Sequence, residues 1–167
     1  MMNVVEMLIS KGYDVAFDMD GVQADWCGSF DAKYGFGASS QFDLLSLEEK
    51  NKVKEELSNG DFYENIEPME KGCMMTIELV RRGCNVMILT SVGKQNPENV
   101  VRQKKNWIAK TFPRDVAEVL LNNFFFTMSS EDKANFARPN LCLIDDRLKS
   151  RAPFIAAGGI AMNITDV

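Results

Sequence analysis

Short apolar runs alternate with segments of helical periodicity along most of the chain. The runs that have the length and composition of buried strands are 14–17, 85–89, 123–127, 141–144 and 159–164. Helical spacing of apolar residues marks 68–82, 97 to about 112, and 147–157. This alternation is typical of a parallel sheet with helices packed on its faces. We therefore predict an α/β fold with a central parallel sheet in a three-layer arrangement.

Residues 26–67 interrupt this alternation. Ser46 lies three residues before Glu49, which is the spacing of a capping box, and Gly60 is a helix stop signal. No convincing buried strand is present. We predict a core domain of residues 1–25 and 68–167, with residues 26–67 as a small helical cap inserted after the first strand. The aromatic residues of this insert either pack it onto the core or line a ligand pocket.

Composition excludes several classes of function. The chain has 167 residues, a single-domain length, and a formal net charge of -5, which argues against general binding of nucleic acid. The absence of histidine removes His-based zinc sites and Ser-His-Asp catalysis. The four cysteines show no C-x-x-C spacing and indicate reduced, buried thiols. The apolar N-terminal segment is too short to span a bilayer, so a cytoplasmic protein with no membrane partner is expected.

Acids and hydroxyls stand at the ends of three predicted strands. They are Asp18 and Asp20 at the first, Thr90 and Ser91 at the second, and Asp145 and Asp146 at the fourth. Taken singly, each has a structural explanation as a turn or a helix cap. Taken together, they place four carboxylates at the carboxyl edge of one sheet, where α/β proteins bind ligands. Such a cluster requires a cation or raised pKa values, and its oxygen ligands suit Mg²⁺.

Two lysines are candidates to bind an anionic substrate beside this cluster. Lys133 precedes the fourth strand, and Lys104 lies in the middle of the apolar face of the helix predicted at 97–112. Lys104 either curls outward to solvent or reaches the edge of the sheet. A hard cation at a carboxylate cluster, with lysines nearby, indicates phosphate chemistry.

The ordered motifs resemble those of the haloacid dehalogenase (HAD) superfamily. They are Asp18-Met19-Asp20-Gly21-Val22, Thr90 after an apolar strand, Lys133, and Asp145-Asp146 after another apolar strand. The resemblance spans nearly the whole chain and implies a HAD-like Rossmannoid fold with a small cap. It also implies that Asp18 is the nucleophile, Asp20 the general acid and base, and Mg²⁺ the cofactor. The implied metal ligands are Asp18, the main-chain carbonyl of Asp20, Asp145 and, directly or through water, Asp146.

Finer features resemble the 5'(3')-deoxyribonucleotidases, the cytosolic type C nucleotidase family. They include the run from Asp18 to Trp26, Ile66 to Met69, Lys104 with Trp107, and Asp132-Lys133. The resemblance implies that Thr90, Ser91, Lys104 and Lys133 contact phosphate, and that Trp26 belongs to the nucleoside pocket, where Phe62 is also expected to stack. Glu131 stands where members of that family carry an arginine.

The sequence thus predicts a Mg²⁺-dependent phosphomonoesterase that dephosphorylates nucleoside monophosphates through an aspartyl-phosphate. Two alternatives stay open: a HAD phosphatase acting on a sugar phosphate or a polynucleotide 3'-phosphate, and a non-catalytic phosphate-binding protein. The expected partner is a small phosphate ester, with no stable nucleic acid binding and a possible homodimer.

Overall fold

A five-stranded parallel sheet forms the centre of the molecule. The computed structural model describes residues 2–167. The strands are β1 (Asp14–Phe17), β2 (Val86–Ser91), β3 (Phe124–Thr127), β4 (Leu141–Ile144) and β5 (Ile160–Met162), in the order β3-β2-β1-β4-β5. All four strand pairs are parallel. The predicted α/β fold with a central parallel sheet is confirmed, and every predicted strand is present with bounds within a few residues.

Eight α-helices connect and cover these strands in residues 2–167. They are α1 (Val4–Ser10), α2 (Trp26–Tyr34), α3 (Ala38–Phe42), α4 (Leu47–Asn59), α5 (Glu70–Arg81), α6 (Pro97–Thr111), α7 (Arg114–Asn122) and α8 (Leu148–Ala156). Short 3₁₀ helices lie at Tyr63–Asn65, Glu131–Phe136 and Ile164–Asp166. The sequence did not predict α7, because its nine residues follow Pro113 directly and offer only two turns of periodicity.

The sheet is covered on both faces, which makes three layers. Val15 and Phe17 of β1 belong to a large core that the N-terminal helix and α5 to α7 complete. Ala16, between them, faces a smaller core that includes Phe154 of α8. Burial on both faces explains why β1, β2 and β4 read as continuous apolar runs rather than as alternating patterns. The edge strand β3 is also an apolar run, but its Phe125 and Phe126 are exposed.

Parallel register brings the ends of neighbouring strands together. Phe17 pairs with Ile144, so the residues that follow them, Asp18 and Asp145, emerge side by side. On the other side of β1, Phe17 pairs with Ile88, two residues before Thr90. The acids and hydroxyls predicted at strand ends therefore lie along one edge of the sheet.

The segment 26–67, predicted as a cap, contains α2, α3, α4 and the 3₁₀ helix Tyr63–Asn65. Its two ends meet, because the main-chain N–H of Asp25 donates to the carbonyl oxygen of Glu67 at 2.8 Å. The side chain of Ser46 accepts from the N–H of Glu49, as the capping signal predicts, and Gly60 follows α4.

The last part of this segment is fastened to α6. Gln103 of α6 accepts from the N–H of Tyr63 at 2.9 Å and donates to the carbonyl of Ser58 at 3.1 Å. The indole N–H of Trp107 donates to the carbonyl of Ile66 at 2.7 Å. Because Gln103 and Trp107 are almost fully buried, these bonds satisfy polar groups that have no access to water.

Within residues 2–167, no helix combines the length and the hydropathy that crossing a membrane requires. The four cysteines are unpaired there, as expected. Cys73 and Cys142 are buried, but Cys27 is exposed at the start of α2, so the prediction of a buried thiol is wrong for that residue.

Candidate active site

Three carboxylates converge at the carboxyl edge of the sheet. Asp18 follows β1, and Asp145 and Asp146 follow β4, and each offers an oxygen within 4.8 Å of the other two. Asp18 and Asp145 are buried, at 5% and 0% exposure, whereas Asp146 is exposed. The group thus has a buried floor and one side open to solvent.

Lys133 joins the two buried carboxylates. Its ammonium group donates to Asp18 at 2.9 Å and to Asp145 at 2.8 Å. The 3₁₀ helix after β3 brings the lysine to this position, with 1% of its surface exposed. Burial opposes the charge on Lys133, but the two carboxylates outweigh burial and raise its pKa.

Negative charge in this group exceeds what Lys133 neutralises. Burial, together with the neighbouring acids, raises the pKa of Asp18 to about 8 despite its contact with Lys133. Partial desolvation and the charge of Asp145 raise the pKa of Asp146 to about 6. Three oxygen donors with uncompensated charge fit a hard divalent cation such as Mg²⁺. Asp20 contributes no side-chain oxygen to this group.

A second group of polar side chains surrounds Lys104. The Lys104 ammonium donates to Asp20 at 3.1 Å, to the Thr90 hydroxyl at 2.6 Å and to the main-chain carbonyl of Ser91 at 3.1 Å. It also lies 5.3 Å from the ring centroid of Tyr63, a cation–π distance. With 1% exposure, Lys104 does not extend to solvent but reaches the edge of the sheet.

The position of Lys104 on α6 explains this geometry. Val100, Trp107 and Ile108 are buried on the same face of the helix. An ammonium group on that face must find oxygen partners within the protein, because burial of an unpaired charge is very costly. Asp20 and Thr90 supply them. Lys105, the next residue, is exposed and lies over the ring of Phe124.

Close packing fixes the turn that carries Asp18 and Asp20. Gly21 has φ +82°, and a Cβ atom there would lie 2.1 Å from a carboxylate oxygen of Asp146. Gly72 of α5 touches the same turn, where a Cβ would lie 1.8 Å from the carbonyl oxygen of Val22. Only glycine fits at both positions, so the turn is held between α5 and the start of the loop after β4.

Several supporting residues were not predicted from the sequence. The N–H of Arg147 donates to the Asp145 carboxylate at 3.0 Å, and the Arg151 guanidinium donates to the Asp145 carbonyl at 3.1 Å. Gln103 and Tyr63 shape the surroundings of Lys104. Of these residues, only Gln103 offered a signal in the sequence, because it is a polar residue at helical spacing from Val100 and Trp107 on the apolar face of α6.

The aromatic residues predicted to meet a nucleoside lie in the insert. Trp26 stacks on Phe30, with centroids 4.6 Å apart and an interplanar angle of 15°, and meets Phe62 edge to face at 6.1 Å. One face of the Trp26 indole is therefore already covered. Phe62 lines a surface groove together with Asp25 and with Gly28 and other residues of α2. The four predicted catalytic and metal-binding acids, Asp18, Asp20, Asp145 and Asp146, do not line that groove.

The predicted residues thus form two adjoining groups. Asp18, Asp145, Asp146 and Lys133 make up the first, and Asp20, Thr90, Ser91 and Lys104 make up the second. The charge of Asp20 contributes to the raised pKa of Asp18, so the two groups are electrostatically linked. Trp26 and Phe62 belong to neither group.

Comparisons with known proteins find similar solved structures. No family model matches the chain, and a search of curated proteins gave no match either. Among solved structures, the chain is similar to the HAD domain of effector protein Lem4 from Legionella pneumophila, solved as an inactive mutant. The TM-score is 0.41 at 12% identity, over 90% of this chain and 83% of that one.

Proposed function

We propose that this chain is a Mg²⁺-dependent phosphomonoesterase of the HAD type. The observation that carries the proposal is that Asp18 and Asp20, two residues apart in the sequence, have different surroundings. Asp18 lies among buried carboxylates with Lys133, whereas Asp20 lies beside Lys104 and Thr90. This difference supports Asp18 as the acid that attacks and Asp20 as the acid that transfers a proton.

Asp18, Asp145 and Asp146 would hold the Mg²⁺, with the main-chain carbonyl of Asp20 as a further oxygen ligand. When bound, the cation offsets repulsion between the Asp18 carboxylate and an anionic phosphate. Lys133 bridges Asp18 and Asp145 and neutralises part of their charge. Arg147, through its N–H, keeps the Asp145 carboxylate oriented.

The phosphate would lie between the two groups. Its oxygens would accept from Thr90 and Ser91 and from the ammonium groups of Lys104 and Lys133. Lys104 already spans Asp20 and Thr90, so it holds the acid beside the position of the phosphate. Fixed donors of this kind stabilise the charge that shifts to the phosphoryl oxygens during transfer.

Transfer would occur in two displacements. An oxygen of Asp18 attacks phosphorus in line and the phosphorus–oxygen ester bond breaks, while Asp20 gives its proton to the departing oxygen. Water then attacks the aspartyl-phosphate and gives a proton to Asp20. Inorganic phosphate leaves, and both aspartates return to their starting states. General acid–base work of this kind contributes about 10²–10⁴-fold.

We propose nucleoside monophosphates as the substrates, in the manner of the 5'(3')-deoxyribonucleotidases. The proposal rests on the resemblance of the Asp18–Trp26 run and of Lys104 with Trp107, and is supported by the aromatic side chains at the insert. Residues 26–67 would act as the cap over the site, with Trp26 and Phe62 meeting the base. Tyr63, beside Lys104, adds a third aromatic ring on that side.

The test is phosphate release from a panel of 5'- and 3'-monophosphates, deoxy and ribo, with and without Mg²⁺. Wild-type protein should release phosphate only with Mg²⁺, and Asp18→Asn should release none while keeping its circular dichroism spectrum. Asp43→Asn, an exposed acid of the insert, is the matched control and should retain activity. Unchanged turnover by Asp18→Asn would falsify the nucleophile assignment, and strong turnover of sugar phosphates alone would replace the substrate class.

A further inference from the structure

The ring of Tyr63 is the point at which the insert reaches the candidate site. The Lys104 ammonium lies over this ring, 5.3 Å from its centroid. Within residues 2–167, this is the one hydrogen bond, ion pair or ring contact that joins residues 26–67 to the two groups of site residues. Tyr63 is therefore the residue of the insert best placed to act on the site.

Helix α6 anchors both partners of this contact. The main-chain N–H of Tyr63 donates to the side chain of Gln103 at 2.9 Å, and Gln103 immediately precedes Lys104 in the chain. One turn further along α6, the indole of Trp107 donates to the carbonyl of Ile66 at 2.7 Å. Gln103 and Trp107 are almost fully buried. Consecutive residues of α6 therefore fix the main chain that carries the ring and the ammonium group that lies over it.

The Lys104 ammonium has a partner for each of its hydrogens. An ammonium group carries three N–H donors, and Lys104 directs them to Asp20, to the Thr90 hydroxyl and to the carbonyl of Ser91. An aromatic face attracts a cation through its quadrupole and takes none of these hydrogens. The Tyr63 ring therefore adds attraction and shields the ammonium from water without competing with its oxygen partners.

Tyr63 meets Lys104 as a neutral ring. Burial, and to a lesser extent the charge of Asp20, raises the pKa of the Tyr63 hydroxyl above its ordinary value. A phenolate is thus not formed near neutral pH, and the attraction is between the ammonium and the ring face. Phenylalanine at this position would keep that attraction, whereas leucine would remove it.

From these contacts we infer that Tyr63 is a positioning residue for Lys104 in phosphoryl transfer. The inference rests on the proposed function and deepens it. Because the three N–H donors of Lys104 already have partners, one of these hydrogen bonds must be exchanged when a phosphate oxygen accepts from the lysine. The ring keeps the ammonium in place, shielded from water, during this exchange. A donor held in this way needs no reorganisation when charge shifts to the phosphoryl oxygens.

The first experiment compares two substitutions of Tyr63 in the protein with Mg²⁺ bound. For the monophosphate that the wild-type protein hydrolyses fastest, Tyr63→Leu should lower kcat/KM by about tenfold, the effect of losing a desolvated cation–π contact. Tyr63→Phe keeps the ring and should stay within about twofold of wild type. Equal losses in the two variants overturn the inference, because the ring face would then not be the cause.

A double-mutant cycle separates positioning from a general structural role. In a Lys104→Met background the ring has no cation to hold, so adding Tyr63→Leu should change the residual kcat/KM by less than about twofold. The same tenfold loss in both backgrounds would mean that Tyr63 only supports the fold of the insert, and it overturns the inference.

Tyr34→Leu is the matched control. Tyr34 also lies in the insert with a lysine over its ring, since the Lys33 ammonium is 5.5 Å from the ring centroid, but Lys33 belongs to neither group of site residues. This variant should leave kcat/KM within about twofold of wild type, as a partly exposed position remote from the site is expected to do. A loss as large as that of Tyr63→Leu overturns the inference.

Lysine acetylation measures the hold on Lys104 without any turnover. After brief treatment with acetic anhydride, mass spectrometry gives the acetylation of Lys104 relative to Lys105, which is exposed and adjacent. The buried Lys104 should react slowly in the wild-type protein, in Tyr63→Phe and in Tyr34→Leu, and faster in Tyr63→Leu. An unchanged rate at Lys104 in Tyr63→Leu overturns the inference.

Failure of this inference and failure of the proposed function give different results. Phosphate release by the wild-type protein, with equal kcat/KM in Tyr63→Leu and Tyr63→Phe, rejects the positioning role alone. Faster acetylation of Lys104 in Tyr63→Leu, without phosphate release from any ester by the wild-type protein, supports the hold of the ring on Lys104 and rejects the proposed function.

Discussion

Lys104 shows how much a single charged residue can organise. Its ammonium group lies on the apolar face of an amphipathic helix. Its three hydrogen bonds join residues from the ends of two different strands. Asp20 comes from the turn after β1, while Thr90 and Ser91 end β2. Without the Lys104 charge, the buried Thr90 hydroxyl and the half-buried Asp20 carboxylate would lose their common partner. The free energy lost by leaving such groups unpaired exceeds what the hydrogen bonds themselves contribute.

We predict that Lys104→Met lowers kcat/KM for phosphate release by about 100-fold or more, because one fixed donor to the transferring phosphoryl group is lost. Methionine keeps the apolar stem and limits cavity formation. Lys105→Met, on the exposed side of the same helix, is the control and should leave kcat/KM within about twofold of wild type, given that surface substitutions rarely perturb the structure. Equal losses in the two variants would remove Lys104 from the proposed phosphate site.

Helix α6 connects the candidate site to the insert. One of its faces carries Lys104, while Asn99, Gln103 and Trp107 bind main-chain groups of residues 58–66. The spacing of these residues along α6 fixes where the insert lies relative to Asp20. A substitution that loosens the insert should therefore act on substrate binding without altering the buried carboxylates.

We predict that Gln103→Ala loosens residues 58–66 while the sheet stays intact. The variant leaves the Tyr63 N–H without its partner, at a cost of about 1–3 kcal/mol, and leaves the Ser58 carbonyl bound by Asn99 alone. Hydrogen exchange measured by mass spectrometry should become faster in residues 58–66 and stay unchanged in β1 and β4. Asn106→Ala, at an exposed position of α6, is the control. Uniform acceleration across the sheet would instead mean that Gln103 supports the whole fold.

Local sequence signals predicted the strands and the acids at their ends, because each depends on a few neighbouring residues. The capping box at Ser46 was visible for the same reason. Local signals also put Lys104 on an apolar helix face, but they left open whether its side chain reaches the edge of the sheet. The partners of Gln103 and the contact of Gly72 with Val22 were not visible. These features depend on how α4, α5 and α6 pack on loops distant in sequence, and no local pattern encodes that packing. Helix α7 was missed because its two turns after Pro113 are too short to show a helical periodicity of apolar residues.

Charge is unevenly distributed over the whole molecule. The net charge is -5, and acids collect at the ends of β1 and β4, where Lys133 and Lys104 pair with only some of them. The excess of negative charge at this edge attracts a metal ion. Repulsion among Asp18, Asp145 and Asp146 should lower the free energy of unfolding of the metal-free protein.

We predict that Mg²⁺ stabilises the folded protein, because it binds the converged carboxylates of the native state and not the unfolded chain. At a concentration 100 times its dissociation constant, a ligand of this kind adds about 2.7 kcal/mol. Thermal unfolding with and without Mg²⁺ should show a rise in Tm for wild type and little or none for Asp145→Asn. Asp43→Asn should show the full rise. An identical rise in Asp145→Asn would locate the effect at another site.

The junction between the insert and the core determines how freely the insert can vary. Its two ends, Asp25 and Glu67, meet through one hydrogen bond, so the whole excursion begins and ends at a single point on the core. A segment of different length could be grafted there without shifting the register of β1 or the start of α5. The graft would have to supply main-chain partners for Gln103 and Trp107. The insert and the buried carboxylates can therefore change independently of each other, with α6 as the fixed interface between them.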